Sequence, residues 1–419
     1  MDNNKKILMV AFHYPPVKGS SGIQRTLKFS NYLREHGWEP LILTVSPGVH
    51  ESVSDDQMGE IPSGMVVERA FAFNTARDLS FKGRYLGWMA QPDRWVTWWP
   101  AGVWTGMQMI RRHQPAAIFS TCPITTAHMI GHTLARLSGL PWIADCRDSI
   151  TEPGYPSDPQ TWRSNRRLEQ KMVRRASKVV FTTEGTREMY AERYPEQSAA
   201  KWAVIENGYD EENFRDAERD FVPRPLGHTG QLTLIHSGIL YPQERDPRPF
   251  FSALRRMRDA GQVGADSLRI VLRATGSDGA YREMLSEYGI SDLIELAPPI
   301  AYRDALREML CADGLLLFQA AMCNHQVPAK LYEYFRAGRP IFSLTDPQGN
   351  TAQALRRGGA DDIVNIADEH DIEAGLTRFL SQLRSGQAQG VQPEVASANS
   401  RRARTAELAA LLEGLGRGA

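Results

Sequence analysis

The sequence predicts an α/β protein of two doubly wound, Rossmann-like domains whose sheets face a cleft, followed by a C-terminal helix. Three observations carry this. Short apolar runs alternate with amphipathic, helix-length segments over most of the 419 residues, as in a parallel sheet covered on both faces. The alternation restarts after a polar, Pro-containing stretch, Asp216–Gly230. The length, at roughly 150 residues per domain, accommodates two or three domains.

The first series opens with Ile7–Phe12, a buried strand, and a Pro/Gly/Ser loop, Tyr14–Gly22. Ile23, Leu27, Ser30 and Leu33 then share one helical face, with Arg25 and Lys28 expected away from it. Gly37 stops that helix. Pro40–Val45, Ala116–Ser120, Pro141–Asp145, Lys178–Thr183 and Trp202–Glu206 are the next strands. The second series runs Leu232–His236, a helix over Phe250–Ala260, then strands Leu268–Arg273, Leu293–Ala297, Gly314–Phe318, Pro340–Ser343 and Ile363–Ile366. A Gly/Gln-rich linker, Ser385–Gln392, leads to a final helix, Ser397–Leu415. The expected domains are therefore 1–215 and 216–395, followed by a helical segment, 396–419.

Composition narrows the function. Lys plus Arg and Asp plus Glu both number 49, so no bulk field favours nucleic acid and an anion site must be local. No segment approaches the ~20 apolar residues of a membrane span. The four cysteines form no C-x-x-C pair, which fits a reducing compartment. The expected location is cytoplasmic, with peripheral contact to the inner membrane face left open.

In doubly wound sheets ligands bind beyond the carboxyl ends of the strands, so the loops there hold the candidate chemistry. Pro15–Gly22 contains small residues that let backbone N–H groups approach a phosphate at a helix N-terminus, although it is neither a Walker A loop nor a G-x-G-x-x-G fingerprint. Asp145-Cys146-Arg147-Asp148 places two carboxylates and a guanidinium at a strand end, suited to binding a substrate hydroxyl or moving a proton; a structural ion pair is the competing reading. The Thr151–Pro159 loop after it is a candidate lid. His236-Ser237-Gly238 is followed by Tyr241 and Arg245, and Arg245 or Arg248 is placed to clamp a phosphate. Pro328 to Pro340 combines Pro at a helix start, Lys330 and Glu333 on one face and a Gly338 stop. There Lys330 offers charge to a diphosphate and Glu333 two acceptor oxygens to a ribose, or the two form a solvated pair. Five of the nine tryptophans fall between Trp88 and Trp104, consistent with a membrane surface, an acceptor groove or an internal aromatic cluster.

Together these segments resemble the retaining glycosyltransferases of family 4, which have the GT-B fold. The resemblance runs from the opening strand and Gly22-Ile23-Gln24-Arg25, through Ile205-Glu206-Asn207-Gly208-Tyr209-Asp210, to the C-terminal helix, and is strongest over Lys330–Pro340; it implies that the helix, 396–419, crosses back to pack on the first domain. It implies a nucleotide-sugar donor, UDP- or GDP-linked, on the C-terminal domain and an acceptor on the N-terminal one. Glu333 matches the ribose-binding glutamate, Arg245 falls where the family has a diphosphate-binding lysine, and Ser21 and Gly22 match the glycine loop facing the donor phosphates. Gly238 begins the corresponding C-terminal loop. The chain departs from the family at three places. His325 stands where another glutamate is common, Ile239 follows Gly238 in place of a basic residue, and Thr121 replaces a histidine. His325 is then the residue near the sugar, and Asp145, Arg147 and Asp148 are the acceptor-side candidates.

The resemblance implies transfer of a sugar to a glycan or lipid-linked acceptor in bacterial surface polysaccharide synthesis. No cofactor is expected, and no Asp-x-Asp motif marks a metal site. The alternatives are a GT-B sugar-nucleotide epimerase and a non-catalytic nucleotide-sugar-binding protein.

Overall fold

The computed structural model describes residues 5–18, 21–82, 84–242 and 245–415. The chain divides into two compact units. One takes residues up to Glu206 and again from Arg401; the other spans Asn207–Ser400.

In the first unit the strands are β1 (Lys5–Ala11), β2 (Trp38–Val45), β3 (Val66–Ala70), β4 (Ala117–Thr121), β5 (Trp142–Cys146), β6 (Lys178–Phe181) and β7 (Trp202–Val204). They form one parallel sheet in the order β3-β2-β1-β4-β5-β6-β7. The central β1 is apolar over Ile7–Ala11 because helices cover both its faces, and those five residues are fully buried. Strand β3 escapes sequence reading: Val-Val-Glu-Arg-Ala carries no apolar run, and only Ala70 is buried. Pairing with β2 at the sheet edge makes it a strand.

The second unit holds β8 (Leu232–Ser237), β9 (Leu268–Arg273), β10 (Ile294–Ala297), β11 (Gly314–Gln319), β12 (Ile341–Thr345) and β13 (Ile363–Val364), parallel in the order β10-β9-β8-β11-β12-β13. Each sheet therefore reverses its winding direction once. The reversal lies between β1 and β4 in the first unit and between β8 and β11 in the second, and crevices at such points are where doubly wound sheets take ligands.

Four sequence expectations change. Arg25 and Lys28 do not face solvent; each is 2% exposed. The helix Ser21–Tyr32 is covered on its far side by the C-terminal helix, whose Leu408, Ala409 and Leu412 share one apolar cluster with Ile23 and Leu27, so Arg25 needs buried partners and Lys28 pairs with Glu60 at 2.7 Å. The single helix expected over Ser397–Leu415 is two, Pro393–Ala398 and Arg401–Leu415. Ser385–Gln392 is no loose linker: Val391 is buried in the second unit's core, and a Cβ on Gly390 would lie 1.8 Å from the Gly338 carbonyl oxygen. The unit boundary falls after Glu206, ahead of the expected 215, because Phe214 and Ala217 of the helix Glu211–Glu218 pack into the second unit, where Arg336 pairs with Glu211 and Glu218.

Candidate active site

Around the crevice between β8 and β11 lie Gly238, Arg245, Lys330 and Glu333; Ser21 and Gly22, also expected on the donor side, belong to the first unit. The helix Lys330–Ala337 begins after Pro328 and ends at Gly338, left-handed at φ +64°. Its first residue, Lys330, turns its Nζ toward the end of β8, 3.0 Å from His236 Nε2. Gly238, at φ +105°, lies directly over that ammonium: a Cβ there would sit 3.2 Å from Lys330 Nζ. The strained φ and the close approach both call for glycine. His236 is fully buried, and its Nδ1 lies 3.0 Å from the Leu316 carbonyl oxygen. A carbonyl only accepts, so Nδ1 carries the proton and Nε2 presents a lone pair to Lys330. Burial first, then the Lys330 charge, holds His236 well below the ordinary histidine range, which keeps it neutral.

Arg245 stands on the other side of the turn. Its guanidinium donates to Ile239 O at 2.6 Å and to Gln319 Oε1 at 3.4 Å, and stacks 5.4 Å from the Tyr241 ring centroid. Neither Arg245 nor Lys330 forms an ion pair with a carboxylate among the described residues. Burial, and then the neighbouring Arg245 charge, brings Lys330 down to about 7 against an opposing pull from Glu333. Arg245 and Lys330 thus bring two basic side chains to the sheet's switch point, with the Glu333 carboxylate acting on Lys330 from one turn on, a grouping suited to an anion. Glu333, one turn on, accepts from the Tyr302 hydroxyl at 2.7 Å. Lys330 and Glu333 therefore make no pair with each other. His325 lies in the β11-to-helix segment, which is tied down by Asn350 N–H to Asn324 O at 2.7 Å and Thr351 to Gln326 O at 3.0 Å.

In the first unit the predicted Asp145, Arg147 and Asp148 separate. Asp145 is fully buried at the end of β5. Arg25 Nε and Nη2 reach its two oxygens at 3.0 and 2.8 Å, and the Thr121 hydroxyl donates at 2.7 Å. Arg25 also donates to the carbonyls of Ile205 and Glu206. This carboxylate is occupied inside the unit, so the proton-transfer role is corrected to a structural one: it joins the first helix, β4, β5 and the chain after β7. Arg147 is partly exposed and Asp148 exposed. The Arg147 N–H donates to Cys122 Sγ at 3.1 Å, and its charge adds to burial in lowering His13 to about 4.

His13 was not singled out from sequence. It lines a shallow indentation between β1 and β4, with Phe12, Gly22, Thr26, Thr121 and Cys122. Its Nδ1 is buried with no hydrogen-bond partner among the described residues. Gly22 thus lines the first unit's switch point; the Ser21 side chain, with Gly19 and Ser20, lies outside the described residues.

The candidate lid is held at its base. Thr151 is buried and donates to Glu169 at 2.8 Å, a carboxylate that also accepts from the hydroxyls of Tyr190 and Tyr194. Beyond that base most of the loop is exposed, Tyr155 at 63%. The tryptophans divide: Trp98 is fully buried and Trp95 and Trp99 pack on the core, whereas Trp88 and Trp104 are exposed. No helix among the described residues is long and apolar enough to cross a membrane, and no group of His, Cys, Asp and Glu among them is arranged for a metal ion.

Two parallel Rossmann-like sheets and the returning C-terminal helix define a GT-B fold. Within it, residues 22–208 match the family model of the glycosyl transferase 4-like domain. The whole chain superposes on sucrose-phosphate synthase from Thermosynechococcus elongatus with a TM-score of 0.68 at 13% identity, covering 99% of this chain and 100% of that one. HepE of Anabaena in complex with UDP-glucose gives 0.64 at 14% identity, over 98% and 99%. A UDP-N-acetylglucosamine 2-epimerase gives 0.55 at 12% identity, over 99% and 97%. No curated protein matches the chain by sequence.

Proposed function

We propose that the protein is a glycosyltransferase that moves a sugar from a nucleoside-diphosphate sugar to an acceptor hydroxyl. The observation that carries this is the Arg245–Lys330 pair, which forms no ion pair with a carboxylate among the described residues and is set around Gly238 at the switch point of the second sheet. Arg245 and Lys330 hold the diphosphate, and Glu333 accepts the ribose hydroxyls in place of Tyr302. In the reaction the bond from the sugar's anomeric carbon to the phosphate oxygen breaks and the nucleoside diphosphate keeps the electron pair. The acceptor oxygen bonds to that carbon, and its proton passes to a phosphate oxygen. Charge develops on the leaving group, where the two cations stabilise it, usually the largest catalytic term. Retention of anomeric configuration follows from the resemblance to family 4, and no metal is required.

Acceptor chemistry belongs to the first unit, where His13 and Arg147 lie near the β1/β4 indentation. A lipid-linked acceptor, used at a membrane surface in bacterial polysaccharide synthesis, is supported by the exposed Phe81 and Trp88, 78% and 67% accessible. The neighbour structures, HepE with UDP-glucose among them, support a uridine donor.

A thermal-shift screen of the full chain against UDP, GDP, ADP, CMP and their sugars tests the donor site. A ligand at 100 times its Kd stabilises by about 2.7 kcal/mol. Product analysis without acceptor separates the reading from an epimerase, which would convert the sugar nucleotide alone. No shift with any nucleotide refutes the donor site.

A further inference from the structure

The donor site contains a feature that simple charge recognition does not need. A lysine that only neutralises phosphate is best placed beside water or a carboxylate that keeps it charged. Lys330 Nζ instead lies beneath the Gly238 turn against a neutral imidazole, with Arg245 as a second cation nearby. The groups facing it are His236 from β8, Arg245 from the following loop, and Glu333 and Tyr334 from its own helix, with Tyr302 bonded to Glu333. The imidazole is itself fixed: Nδ1–H is committed to Leu316 O, a carbonyl that also accepts from the Tyr334 hydroxyl at 3.3 Å. Ring rotation or a tautomer change would break that bond, so the Nε2 lone pair has one direction, toward Nζ.

We propose that His236 is a positioning residue that holds Lys330 Nζ under the Gly238 turn, and that Lys330 takes a proton from solvent as the donor diphosphate binds. This rests on the donor-site reading above. Before binding, burial and Arg245 favour the neutral amine, whose pKa lies at about 7. A diphosphate brings negative charge within contact distance and favours the ammonium. Above pH 7 binding therefore consumes a proton, and affinity falls as pH rises. The pair lets the site keep two cations together only when an anion is there to separate them.

The test is calorimetric titration of the full chain with UDP, GDP and ADP at pH 8, in two buffers of different ionisation enthalpy. At that pH the terminal phosphates are already fully ionised, their second pKa being about 6, so proton uptake belongs to the protein. One unit above its pKa, Lys330 is roughly nine-tenths neutral, and the expected uptake is about 0.9 proton per nucleotide bound. Lys330→Arg keeps the charge but cannot lose its proton, so uptake should fall to near zero while binding persists. His236→Leu should also abolish uptake, because the released ammonium returns to water and its ordinary range; His236→Gln, which restores an acceptor, should recover part of it. Binding by the wild type without uptake, or unchanged uptake in Lys330→Arg, overturns the inference and leaves the donor site standing. Failure of all three nucleotides to bind overturns both.

Discussion

Arg25→Met should unfold the first unit far more easily than a single surface change would. Arg25 and Asp145 are 2% and 0% exposed, and the guanidinium makes four hydrogen bonds between 2.8 and 3.0 Å, two to the carboxylate and two to the Ile205 and Glu206 carbonyls. Replacing it by an apolar chain leaves Asp145 charged and buried, with only the Thr121 hydroxyl among its side-chain partners at 2.7 Å. Breaking a buried pair in this way costs about 3–5 kcal/mol, a large fraction of a domain's ~5–15 kcal/mol. With urea slopes of about 1–3 kcal/mol/M, the midpoint should fall by roughly 1–5 M. The assay is simple, because all nine tryptophans lie between Trp38 and Trp202, so tryptophan fluorescence reports the first unit. Arg25→Met/Asp145→Leu should recover more than half of the loss, since both charges leave together. A midpoint shift below about 0.3 M in the single variant, or a double variant no better than it, would refute the structural assignment of this pair.

Other consequences are equally measurable. Lys330→Ala or Arg245→Ala should lower turnover by about 10²–10³-fold, the scale of one lost charge-stabilising donor, with little change in melting temperature; Glu333→Ala should raise the donor KM instead, and steady-state kinetics separates the two. Gly390→Ala should destabilise the second unit by at least ~1–3 kcal/mol, because its Cβ would overlap the Gly338 carbonyl; calorimetry reads this directly. His13, His50 and His128 all sit near 4, with burial the first cause. Their folded pKa values lie below the unfolded one, so the unfolded chain binds more protons between pH 6.5 and 4 and stability must fall as pH drops through that window. His128→Gln should flatten that slope in acid-titrated urea melts. Phe81→Ser/Trp88→Ser should reduce sedimentation with anionic vesicles at least threefold if this face meets lipid, and unchanged sedimentation would remove that role.

Most of the architecture was legible because parallel strands buried on both faces read as continuous apolar runs, as in Leu315–Phe318. Strand β3 was hidden by its exposed edge, where Glu68 and Arg69 break the pattern. The Lys330–Glu333 grouping was visible because both residues sit inside one helix with clear start and stop signals. Its partner His236 was visible only as part of a loop motif, since the contact spans 94 positions in sequence. Asp145 misled for the same reason in reverse: a carboxylate at a strand end looks available until Arg25, 120 residues earlier, is brought to it. Periodicity also misplaced Arg25 and Lys28, because it assumes one covered face and this helix has two. His13 carried no signal beyond its place after β1.

The chain leaves the first unit at Glu206 and re-enters it at Arg401, and within the second unit the two ends are tied together by a bridge between Tyr209 and Ser400. The second unit is therefore an insertion with adjoining ends, and on the ribosome it can be completed while the first still lacks its last piece. Until Leu408, Ala409 and Leu412 emerge, the nascent amino-terminal half carries an uncovered apolar seam along the Ser21–Tyr32 helix, which makes the tail of the chain the step that seals a structure begun at its head.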